Sequence, residues 1–222
     1  MNDRNTNIIK GIAMVNYSGN YKKYMTKNPL KHKMVERLNR KILNYILKNC
    51  ELLSNEKDIV DILDAGCGEG FISDMIERNV ENVRITGLEI ETTALDIAKR
   101  MNKNVNYLQG DICRMPFEDN RFDIVICTEV MEHLKEPDTA LQELARVAKK
   151  TILLTVPNEP WFCMGNLLVG KNISRLGNPE DHVNHWSRKK FVKYVEKQYL
   201  PFGGGYQSDR SFPWSIIVYK KR

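Results

Sequence analysis

From Asp58 to Val156 the chain alternates between short apolar runs of β type and amphipathic runs of helical period. Strands are predicted at Ile59–Asp64, Val83–Glu89, Val105–Gln109, Phe122–Cys127 and Thr151–Val156. Helices between them are marked by Phe71/Met75/Ile76, by Ala94/Leu95/Ala98/Met101 and by Leu141/Leu144/Ala145/Ala148, with Asp138 expected as the N-cap of the last. The strands are apolar throughout rather than at every second residue. A strand of that kind is buried on both faces, which requires a parallel sheet with helices on each side. The expected fold is therefore doubly wound α/β.

The stretch Ile62-Leu63-Asp64-Ala65-Gly66-Cys67-Gly68-Glu69-Gly70 joins the first strand to the first helix. Glycines at alternate positions allow a tight turn and a close approach of backbone to ligand, beside the free N–H groups of a helix start. Such a loop alone does not separate nucleotide-binding families. Here no Lys follows Gly70, which excludes a phosphate-cradling P-loop, and the GxGxG spacing differs from the dinucleotide fingerprint GxGxxG. Asp64 discriminates further: a carboxylate repels a pyrophosphate but suits a ligand carrying an ammonium and a sulfonium.

Two more acids end the next two strands. Glu89, in Gly87-Leu88-Glu89-Ile90, stands where an acid accepts ribose hydroxyls in folds of this kind. Asp111, in Gln109-Gly110-Asp111-Ile112, can take an adenine amino proton while the Ile112 N–H meets a ring nitrogen. Each would be an ordinary loop acid by itself; together they line the strand edge where open α/β sheets bind ligands.

With these residues the chain resembles the class I S-adenosylmethionine-dependent methyltransferases, especially their small-molecule group, over about Ile59 to Val156. Asp64, Ala65, Gly66, Cys67, Gly68 and Gly70 look like the cofactor loop, Glu89-Ile90 the ribose contact and Asp111-Ile112 the adenine contact. Phe122-Asp123-Ile124-Val125-Ile126-Cys127-Thr128-Glu129-Val130-Met131-Glu132-His133-Leu134 looks like the fourth-strand motif. The resemblance implies a Rossmann-like, mostly parallel seven-stranded sheet whose last strand is antiparallel, which Trp214–Tyr219 could supply. It implies S-adenosylmethionine as cofactor, S-adenosylhomocysteine as product, and backbone around Thr128 and Glu129 along the methionine part.

A single domain is expected for 222 residues, read as an N-terminal helical cap (1–57), a cofactor-binding core (58–156), an acceptor lid (157–188) and a C-terminal helix with closing strands (189–222). Asn28 and Pro29 are placed to start a helix through Met34, Leu38, Ile42, Tyr45 and Ile46. Segment 157–186 has prolines, glycines, tryptophans and histidines without a period, as a functional connection often does. The five cysteines are scattered without a CxxC pair, which argues against disulfides or a zinc knuckle. The polar start Met1-Asn2-Asp3-Arg4-Asn5 and the lack of a membrane-length apolar run point to a cytoplasmic protein. The net charge of +6 is concentrated in Lys22, Lys23, Lys27, Lys31, Lys33, Arg37, Arg40 and Lys41, a solvated helix face or an attractor of anionic partners.

Methyl transfer from a sulfonium is governed by positioning, with a base needed only when the acceptor must lose a proton. His133, His182 and His185 are the catalytic candidates, His133 being equally suited to steadying its loop. His182 and His185 are HxxH-spaced near Asp181, an incomplete ligand set, so no metal is assigned. Tyr17, Tyr21 and Tyr24 could fold over the cofactor or simply pack. The fourth strand lacks an Asn/Asp-Pro-Pro-aromatic ending, which disfavours methylation of nucleic-acid bases. The expected partner is a small molecule, sugar or natural product methylated on O or N; the alternatives are a peptide or protein carboxylate, or a catalytically silent cofactor-binding subunit.

Overall fold

The computed structural model describes residues 19–54, 58–168, 170–199 and 203–221. The chain opens with α1 (Gly19–Tyr24) and α2 (Pro29–Ser54). It continues through β1 (Val60–Ala65), α3 (Phe71–Asn79), β2 (Val83–Glu89), α4 (Thr92–Met101), β3 (Asn106–Gln109) and β4 (Phe122–Thr128). A 3-10 turn at Met131–His133 leads to α5 (Pro137–Val147) and β5 (Ala148–Pro157). Then come α6 (Trp161–Leu168), a 3-10 turn at Ile173–Arg175, α7 (Arg188–Tyr199), β6 (Gly205–Ser211) and β7 (Trp214–Lys220).

The strands form one seven-stranded sheet in the order β3-β2-β1-β4-β5-β7-β6, with β1 to β5 parallel and β7 antiparallel to both of its neighbours. Consecutive strand residues point to opposite faces, and each face has its own core. Ile62, Ile124, Ile126 and Ile216 pack against α2, α3 and α4, whereas Leu63, Val125, Cys127 and Ile217 pack against α5 and α7. This two-sided burial is what the unbroken apolar strands called for. Because the strand order reverses between β1 and β4, the strand C-termini leave a crevice there, the usual ligand position in an open α/β sheet.

Helix α2 starts as expected: the Asn28 side-chain carbonyl accepts the Lys31 N–H at 3.1 Å and Pro29 takes the first helical position. Leu38, Ile42 and Ile46 form its buried stripe. Lys41 anchors it on β6, donating to Asp209 Oδ2 and to the Arg210 carbonyl, both at 2.6 Å. Both side chains are partly exposed, so Lys41→Met is expected to lower stability by no more than about 1 kcal/mol in urea denaturation. A loss of several kcal/mol would mean the anchor also orders the rest of α2.

The structure differs from the sequence reading in four places. Strand β5 begins at Ala148, directly after α5, because Ala148 pairs with Phe122 on β4. Asp138 lies inside the first turn of α5, whose N-cap is Glu136, and its carboxylate accepts the Tyr194 hydroxyl of α7 instead of capping. Segment 157–188 contains helix α6, in which no residue is fully buried. Strand β6 pairs only with β7 and is largely exposed, and so carries no apolar signature. Among the described residues no helix is long and apolar enough to cross a membrane.

Candidate functional site

Parallel pairing sets the ends of β1, β2 and β4 side by side, with Asp64 opposite Gly87 on one side and Ile126 on the other. Past Asp64 the chain turns through Gly66, Gly68 and Gly70, all in the left-handed region at φ of 76°, 53° and 80°. The Gly66 and Cys67 N–H groups donate to the Leu88 carbonyl at 2.8 and 3.0 Å, so the turn folds against β2. The Glu89 carboxylate completes the tie, accepting N–H bonds from Gly68 (2.8 Å), Ile90 (2.8 Å) and Glu91 (3.0 Å).

Asp64 is fully buried; its Oδ2 accepts the Ser73 hydroxyl at 2.6 Å and its Oδ1 meets no partner. Burial pushes its carboxyl up to about 6, with the charge of Glu89 adding and the Ser73 bond opposing. A buried carboxylate with an open oxygen beside a glycine turn is suited to a cationic ligand that supplies the missing donor. A cleft lies over this turn, lined by Lys23, Tyr24, Phe71, Thr128 and Glu129. Helix α1 forms its roof: Tyr24 stacks on Phe71 at 4.3 Å, and Lys23 Nζ lies 3.5 Å from Glu129 Oε2 and 4.9 Å from the Trp214 ring. Glu129 has φ of 58°, rare for a residue with a side chain, and is held by Thr155, whose carbonyl accepts its N–H and whose hydroxyl donates to its Oε1.

A second cluster adjoins the cleft where β4 ends. Asn184 donates to the Met131 and Leu134 carbonyls (3.1 and 2.6 Å), and the Glu132 carbonyl accepts the Val183 and Asn184 N–H groups. These bonds pin segment 181–185 onto the 3-10 turn. His182 is thereby brought edge-on to His133 (4.9 Å between ring centres), stacked on Phe162 (5.6 Å) and 6.4 Å from His185. Burial, helped by the neighbouring His133, lowers His182 to about 4, so it stands as a neutral imidazole at physiological pH. Glu132 is buried with Oε2 unpartnered, and burial together with the nearby Glu129 pushes its carboxyl well above the usual carboxylate range.

Residues 63–154, from β1 into β5, match the family model described as a methyltransferase domain. Over that stretch the chain is similar to the methyltransferase family. An uncharacterised methyltransferase of Schizosaccharomyces pombe is 37% identical over 99 residues, 40% of this chain and 36% of its own. A ubiquinone biosynthesis O-methyltransferase of Rickettsia bellii is 34% identical over 118 residues, 52% of this chain and 49% of its own. The chain thus matches less than half the length of these curated relatives. The solved YcgJ protein of Bacillus subtilis shares the fold, with a TM-score of 0.60 at 18% identity over 81% of this chain and 97% of its own.

Of the methyltransferase residues expected from sequence, Gly66, Cys67, Thr128 and Glu129 line the cleft and Asp64 lies buried at the end of β1. Ala65 ends β1 in the core, and Ile90 offers its N–H to Glu89. Asp111 follows β3, two strands from β1, where its Oδ1 accepts the Cys113 N–H at 2.8 Å and Ile112 is buried. The three histidines are brought together, and His133 takes up Asp181 itself: its Nδ1 lies 2.9 Å from the Asp181 carbonyl oxygen and 3.4 Å from Oδ2. Tyr21 is buried against Phe71 (6.0 Å) and Tyr24 forms part of the roof, whereas Tyr17 lies outside the described residues. Sequence reasoning missed Lys23, Trp214 and Glu132 as site residues. Glu132 carried a usable signal, as the acid flanking His133 in the fourth-strand motif; Lys23 and Trp214 carried none, since one reads as a solvated base and the other as a strand residue.

Proposed function

We propose that this protein binds S-adenosylmethionine over the turn at Gly66–Gly70 and transfers its methyl group to an oxygen or nitrogen of a small molecule. The observation that carries this reading is the unpartnered, buried Asp64 Oδ1 beside the glycine turn. The bound cofactor would supply a sulfonium methyl, an electrophile with a good leaving group. Asp64 would hold the ammonium end. Glu89 uses three acceptor sites on backbone N–H groups, and a carboxylate offers about four; the remaining capacity would meet a ribose hydroxyl. Asp111 and the Ile112 N–H would meet the adenine edge. Lys23 and Tyr24 would exclude water from above, and the acceptor would be oriented beneath segment 157–188, which serves as its lid. A neutral His182 with so low a proton affinity would accept a hydrogen bond from the acceptor more readily than it would remove a proton. The names of relatives that act in ubiquinone biosynthesis as O-methyltransferases support a small-molecule hydroxyl as the acceptor.

Methyl-labelled S-adenosylmethionine incubated with the protein and a fractionated cell extract tests this reading. Label is expected in the small-molecule fraction and is expected to vanish with Asp64→Asn. Label confined to peptide or nuclease-sensitive material would replace the acceptor class, and failure of the cofactor to bind in titration calorimetry would sink the proposal.

A further inference from the structure

The side chains of Glu132, His133 and His182 meet where the 3-10 turn after β4 faces segment 181–185, with one potential ligand atom from each lying within 4.8 Å of the others. Two ligand bonds of about 2.1 Å span up to about 4.2 Å, so small side-chain rotations would close these atoms around one ion. The tautomer of His133 is fixed by its surroundings. Its Nδ1 lies 2.9 Å from the Asp181 carbonyl oxygen, which can only accept, so Nδ1 carries the hydrogen and Nε2 the lone pair. That lone pair is on the side of Glu132, whose Oε1 is 4.0 Å away. A ring N–H given to a backbone carbonyl is how metal-binding histidines are commonly oriented. Glu132 Oε2 and His182 Nδ1 are both buried without a hydrogen-bond partner. Two buried, unpartnered polar atoms and a third aimed lone pair leave a place that a cation would satisfy, displacing any proton held there.

We propose that Glu132, His133 and His182 bind a divalent first-row transition-metal ion through one carboxylate and two imidazoles. Three protein ligands leave coordination positions open. If the function proposed above holds, an acceptor oxygen takes one of them, and the metal rather than a protein base lowers the proton affinity of that oxygen. Glu159, His182 and His185 form an overlapping group. It is the weaker candidate: His185 Nε2 already lies 3.1 Å from Asn178 Nδ2, and Glu159 accepts the Cys163 N–H at 3.2 Å.

Titration of the full chain with cobalt(II), followed by visible absorption and calorimetry in the absence of cofactor and acceptor, tests the site alone. One equivalent is expected to bind with a change in the d–d spectrum and a rise in Tm. Glu132→Gln, His133→Ala and His182→Ala should each weaken binding at least about tenfold, while His185→Ala leaves it within about twofold of wild type. Circular dichroism checks that each variant folds, and calorimetry with S-adenosylmethionine alone reports the cofactor site separately. Absence of saturable cobalt binding by the folded wild type overturns the site. Binding lost in His185→Ala but kept in His133→Ala overturns it in favour of the overlapping group.

Discussion

Asp64→Asn is expected to yield a protein that is more stable than the wild type at neutral pH and no longer holds the cofactor. Asp64 is buried, and its carboxyl is raised from 3.8 to about 6 in the fold. A folded value above the unfolded one means that protonation favours the folded state. That contribution is complete below about pH 4 and is lost as the pH rises through about 6, leaving an ionised carboxylate that costs roughly 3 kcal/mol at neutral pH. Asparagine has the same shape, can still accept from Ser73 and does not titrate. Denaturation curves should therefore nearly coincide with the wild type at pH 4 and separate by roughly 2–3 kcal/mol at pH 7.5, the variant being the more stable. S-adenosylmethionine affinity should fall about 100-fold or more, the usual scale for losing one partner of a buried charge pair. A stability difference independent of pH, or tight cofactor binding by the variant, would contradict the role given to this carboxylate. The ionised group is thus a cost of the ligand-free state that only a cationic ligand offsets.

Gly66→Ala should be nearly as damaging, for two separable reasons. At φ of 76° an added Cβ is strained whatever surrounds it, at roughly 1–2 kcal/mol. That Cβ would also stand 2.4 Å from Val130 Cγ2, too close for any real contact, and overpacking of this kind costs about 1–3 kcal/mol. A combined loss of roughly 2–5 kcal/mol is expected, with cofactor binding lost because the turn must move. Adding Val130→Ala should recover the steric part and leave the backbone part, a coupling that a double-mutant cycle in urea would resolve. Full recovery by Val130→Ala would show that the left-handed turn tolerates a side chain. No loss in the single variant would show that the turn is not held against Val130.

Several features of the site were legible before any coordinates. Val83–Glu89 is a strand with the bounds its apolar run predicts, and the glycine turn follows β1 as its spacing requires. Asp64, Glu89 and Asp111 fall at successive strand ends because the strands are parallel and adjacent. Where the reading fell short, the missing information was of another kind. Strand β6 is recognisable only through its pairing with β7, since an exposed edge strand has no buried face to write into its residues. Helix α6 is apolar on nearly every side yet buries no residue fully, so no periodic stripe marks it.

The sequence by itself determined the layered α/β architecture, the position of the glycine turn and the acids at the ends of successive strands. Each of these rests on periodicity or backbone freedom within one short segment, and such signals are local. Tertiary structure alone decided that Lys23 would reach Glu129, that Tyr24 would stack on Phe71, and that His182 would join Glu132 and His133. Those contacts join residues about 50 to 100 positions apart in the chain. They follow from helix α1 closing over the sheet edge and from Asn184 pinning segment 181–185 to the turn after β4. No local pattern encodes which distant segment fills such a gap, because only the packed sheet creates the gap.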